Sequence, residues 1–128
     1  MDLDKFIKEE FVPFRERVVE GVQARHPHMF TAINTMLSGK ENKMGLQVVE
    51  AEKVAGEYTF HLNGIYITSV DSGQLLSEIH HPMLGVIRPY AIVERKQLER
   101  MIQDKGFFDD LAATIPQYLP GVTIKFMQ

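Results

Sequence analysis

Apolar residues Leu3, Ile7, Phe11, Phe14, Val18 and Val22 recur at steps of four and three, the spacing that lays one stripe along a helix. Phe6, Val12 and Val19 widen the stripe, which predicts contact with more than one neighbour. Pro13 falls inside it without breaking its phase. Because proline removes a helical N–H and crowds the preceding turn, the expectation over 2–25 is a kinked helix or two helices meeting at a bend. A second helix is predicted to start at Pro27 and stop before Gly39, with Phe30, Ile33 and Leu37 inward. The segment "SGKENKMG" loses all periodicity and reads as a loop.

From Leu46 the period becomes two. "LQVVEAE", "EYTFHLN", "IYITSV", "QLLSEIH" and "GVIRPYAIV" are short and rich in β-branched and aromatic residues, and they predict an antiparallel meander of about five strands. Helical spacing returns in "ERKQLERMIQDKG", with Gly106 as its stop, and again over 107–118. "GVTIKFMQ" closes the chain as a half-buried strand. The fold class is therefore α+β: N-terminal helices, the meander, two C-terminal helices and a final strand, with helices gathered mainly on one face of the sheet.

The pattern also predicts a register. Asn63-Gly64 as the centre of a type I′ turn pairs His61 with Tyr66 and Phe60 with Ile67. A three-residue loop at "DSG", with Gly73 left-handed, then pairs Tyr66 with Glu78. One face becomes core: Tyr58, Phe60, Leu62, Ile65 and Ile67. On the other, His61, Tyr66 and Glu78 stand side by side, ~5 Å apart, with His80 one step further along. Val70 and Leu76 share that outer face, and His81 points to the opposite one.

Composition narrows what such a face can do. A chain of 128 residues, 45% hydrophobic and 24% charged, fits one domain over 1–128 with a core of its own. The net charge of -3 is spread over interleaved acids and bases, which argues against nucleic acid as a partner. No apolar run approaches the ~20 residues of a membrane span, and the start "MDLDKFIKEE" is unlike a signal peptide. With no cysteine, disulfides, thiolate nucleophiles and zinc–thiolate sites are excluded, and a cytoplasmic location is expected.

The densest candidate chemistry is "SEIHHPM", which holds Glu78, His80 and His81. Strand alternation sends the two histidines to opposite faces, and His61 would stand roughly 10 Å from Glu78, too far for a preformed metal cage. The glycines form neither GxGxxG nor a P-loop, and no nucleophile elbow is present. Nothing implies a cofactor or a metal. Arg88, before Pro89, marks an edge or bend, a place to hold an anion or to guard a sheet edge. Seven methionines and the apolar outer positions exceed the needs of one two-layer core.

Two function classes follow. The first is a non-enzymatic module that binds a second copy of itself, a partner protein or a small apolar ligand through the face bearing His61, Tyr66, Val70 and Leu76. A homodimer is its simplest form. The second is a small enzyme or metal-dependent site using His61, Tyr66, Glu78 and His80 in a pocket under the N-terminal helices, with a histidine as base in the enzyme form.

Overall fold

The computed structural model describes residues 2–127. Its first helix is continuous in path but not in type: α1 (Leu3–Phe6) widens into a π-helical stretch, Ile7–Phe11, and resumes as α2 (Val12–Arg25). Pro13 sits in the first turn of α2. The wide turn just before it absorbs the crowding that a proline imposes on a regular α-helix. It also shifts the phase of the stripe, so Leu3, Phe6, Ile7, Phe14 and Val19 are buried. Val18 and Val22 instead line a half-open cavity of about 280 Å³ beside Phe107 and Leu111. The second helix, α3 (Pro27–Leu37), has the expected bounds.

Strands β1 (Asn42–Glu50), β2 (Lys53–Asn63), β3 (Tyr66–Ser72), β6 (Pro89–Glu94) and β7 (Val122–Phe126) form one sheet in the order β3-β2-β1-β6-β7. β4 (Ile79–His81) and β5 (Gly85–Ile87) form a separate two-stranded ribbon. Between β6 and β7 come α4 (Arg95–Gln103), the single turn α5 (Gly106–Asp109), α6 (Leu111–Tyr118) and a 3-10 turn, Leu119–Gly121. The fold is α+β. No helix among the described residues is long and apolar enough to cross a membrane.

The antiparallel meander needs correction. β1 and β6 are parallel, Gly45 opposite Tyr90 and Val48 opposite Val93, so the sheet is mixed. β1 begins at Asn42, inside the segment expected to be a loop. The expected strand "QLLSEIH" pairs only from Glu78 onward. Gln74–Ser77 instead crosses the outer sheet face as an irregular strap, because Thr59 offers it a better partner than a ladder would. The Thr59 hydroxyl donates to the Gln74 carbonyl at 2.9 Å and accepts the Leu76 amide at 2.8 Å. The strap also needs the bare Cα of Gly45: a Cβ there would lie 2.8 Å from the Tyr90 Cβ and 3.2 Å from Leu75.

The turn after β2 differs as well. Asn63 pairs with Tyr66, so Gly64 and Ile65 are the turn residues, with Gly64 at φ +59°. Asn34 of α3 fixes this, accepting the Ile65 amide at 3.0 Å from a position that any Cβ on Gly64 would invade. The turn with two positive φ angles is Ala51-Glu52, between β1 and β2, where the sequence carries no glycine or asparagine.

The core lies between the sheet and the helices. Leu46, Val48, Tyr58, Phe60 and Val93 meet Leu3, Phe6, Ile7 and Leu98. Each such side chain contributes about 1.5–3 kcal/mol on full burial. Tyr58 is wholly buried and its hydroxyl donates to Asp4, tying the start of α1 to the sheet. Burial, and then that hydrogen bond, hold its pKa well above the ordinary tyrosine value.

Candidate functional site

A polar row does cross the outer face, with different members from those the pattern predicts. The turn pairs Tyr66 with Asn63 instead of His61, and a one-residue bulge in β3 between the pairs His61↔Ser69 and Leu62↔Ile67 changes the alternation further along, at Val70. The Tyr66 hydroxyl donates to Gln23 of α2 at 3.0 Å, and its ring lies 5.9 Å from Phe30 of α3. Val70 pairs with Phe60 and packs on the core. Both therefore face the helices, contrary to the expected outer placement. Leu76 remains exposed, carried by the strap.

The place expected for Tyr66 is taken by Lys43. On one side it pairs with His61 in the β1–β2 ladder; on the other its backbone exchanges two 2.8 Å hydrogen bonds with Glu78. His61 Nε2 lies 2.6 Å from Asp71 Oδ2, and Glu78 Oε1 lies 3.4 Å from His80 Nε2. The row thus reads Asp71, His61, Lys43, Glu78, His80, each half-exposed, with a carboxylate against each histidine. Among the described residues, no group of three or more His, Asp or Glu side chains comes together as a metal ion would require.

Two shallow grooves meet at Lys43. One, of about 340 Å³, includes His61, Thr68 and Ser69. The other, of about 300 Å³, includes Leu76, Glu78, Arg88 and Met127. Arg88 lies between β5 and β6, and β6 is an inner strand, so Arg88 guards no edge of the five-stranded sheet. His81 turns its Nδ1 back to accept the Met83 and Leu84 amides at 3.1 and 3.0 Å, closing the β4–β5 turn. Of the paired histidines in "SEIHHPM", one joins the row and the other builds a turn.

The strongest asymmetry lies at the sheet edges. Along β3, Glu16 of α2 accepts the Ile67 amide at 3.1 Å, and Arg15 donates to the Ile65 carbonyl. Side chains from a helix thus occupy edge groups that another strand would use. Along β7 the Met127 amide donates to the Arg88 carbonyl at 2.8 Å. Antiparallel alternation then turns Thr123 and Lys125 toward β6, and the N–H and C=O groups of Val122, Ile124 and Phe126 outward. Ile124 and Phe126 lie on the helix side of the sheet, opposite Ala91 and Pro89, and remain 54% and 63% exposed. The sequence pattern finds this strand but not its position, and a strand at an edge has one row of unsatisfied backbone groups.

No protein-family model matches the chain, and no curated protein matches it.

Proposed function

We propose that this protein is a non-enzymatic interaction module that engages its partner by strand addition at the outer edge of β7. The observation that carries this reading is the conjunction on β7 of a bare hydrogen-bonding edge with exposed Ile124 and Phe126. A buried sheet strand gains both backbone hydrogen bonds and apolar contact from its neighbours, and among the described residues β7 has one neighbouring strand, β6. The outer-face row supports the same choice of surface. His61 and His80 there already lie against Asp71 and Glu78, and the strap covers the central strands.

The test is residue-resolved hydrogen exchange with extended peptides of alternating apolar and polar residues. Added strands should slow exchange at Val122, Ile124 and Phe126 while leaving Thr123 and Lys125, already bonded to β6, unchanged. Equal exchange at the outward amides with and without every peptide would remove strand addition as the mode of binding.

A further inference from the structure

The occupant of the β7 edge can be named from the strand itself, and the argument rests on the strand-addition reading above. We infer that a second copy of this chain pairs β7 against β7 across a two-fold axis through Ile124, joining the two sheets into one. An antiparallel pairing centred on Ile124 sets Ile124 opposite its own counterpart and Val122 opposite Phe126 of the other copy. These are the three residues whose N–H and C=O groups point outward. Every outward donor in the strand therefore meets an outward acceptor, and no other centre within Val122–Phe126 satisfies all three.

Side chains agree with the backbone. In this register the helix-side face carries Val122, Ile124 and Phe126 from both copies, a continuous apolar strip across the junction. On the outer face Lys125 stands opposite Thr123 of the other copy, so the only charge in the strand never meets itself directly. A two-fold interface must be complementary to itself, and the five residues VTIKF are complementary in this arrangement. Because two five-residue strands bury less than the ~1,200–2,000 Å² of a standard stable interface, the dimer is expected to exchange with monomer and to depend on concentration.

The experiment is sedimentation of the full chain and of two charge variants, Ile124→Lys and Ile124→Glu, alone and mixed. Wild type should shift from monomer to dimer mass with concentration. Each variant alone should stay monomeric, its dissociation constant raised at least about tenfold, because like charges face each other. The mixture should recover a heterodimer, which requires position 124 to face position 124. Monomeric wild type at every concentration would overturn the second copy as occupant while leaving peptide-strand addition standing. A wild-type dimer that both variants retain, or that the mixture fails to restore, would overturn the register.

Should either charge variant lose its fold by circular dichroism, the absence of native cysteine supplies another route. Thr123→Cys chains mixed with Lys125→Cys chains and oxidised with diamide should give the mixed disulfide in preference to either homodimer. A random distribution of the three products would overturn the pairing.

Discussion

β3 and β7 are the two edges of one sheet, and they are treated oppositely. β3 is held by α2, with Glu16 on the Ile67 amide and Arg15 on the Ile65 carbonyl, and a bulge at Thr68 twists it further from any flat template. Among the described residues, no helix side chain bonds the outward amides of β7, and Ile124 and Phe126 are shown to solvent. Edge strands invite pairing by default, so an edge with these protections and an edge without them are different devices. The difference teaches where to look for a partner: the unprotected edge rather than the polar face that the histidines first draw attention to.

The comparison breaks most severely at the turn that delivers β3. Gly64→Val forces a β-branched residue to positive φ and drives its Cβ into the Asn34 carboxamide. A loss of about 3 kcal/mol is expected in urea unfolding, with β3 amides exchanging first.

Glu16→Ala strips the guard and nothing else from the core. Leaving the Ile67 amide without its acceptor should cost about 1–3 kcal/mol. It should also confer on β3 a tendency to associate that the proposed pairing assigns in wild type to β7 alone. Light scattering on the double variant Glu16→Ala, Ile124→Lys isolates that new association.

Tyr58 anchors α1 beneath the same half of the sheet, and alkali tests it. Its folded pKa is raised above the unfolded value of about 10, so its contribution is fully present below that pH and is lost as pH rises past it. Stability should therefore fall above about pH 10, and Tyr58→Phe should flatten that fall while costing about 1 kcal/mol at neutral pH. A pH series of thermal midpoints for both proteins checks the sign.

Ile124→Thr should have the smallest effect on folding, within about 0.5 kcal/mol, because the side chain is exposed. Its effect belongs to association alone. A loss of several kcal/mol in the monomer would mean that Ile124 serves the core, and the contrast between the edges would lose its meaning.

Helix placement was legible because burial of a continuous stripe requires period 3.6, and 3–25 and 27–37 carry it strongly. Strand existence was legible for the same reason at period two. Turn chemistry was less reliable. Asn63-Gly64 carries the strongest local turn signal, yet the turn centre is Gly64-Ile65, because Asn34 from a distant helix binds there. Ala51 and Glu52 carry no such signal and adopt positive φ, since pairing β1 with β2 over their apolar positions outweighs local strain of about 1–3 kcal/mol per residue. The expected row of His61, Tyr66, Glu78 and His80 kept three members. It lost Tyr66 because the turn pairs that residue with Asn63 instead of His61, where Gln23 and Phe30 take its side chain, and the bulge at Thr68 carries Val70 to the core face. Lys43 and Asp71 were readable only once β1 and the strap had positions.

Local pattern fixes which residues must leave water, and so the sequence by itself determined the α+β class, the helices, most strands and their inward faces. Tertiary structure alone decided that β1 lies parallel to β6, that Gln74–Ser77 crosses the sheet instead of joining it, and that β7 is the open edge. Those outcomes depend on which distant backbone and side-chain groups satisfy one another, through Thr59, Gly45, Asn34 and Glu16, and no periodicity along the chain encodes a partner far away in it.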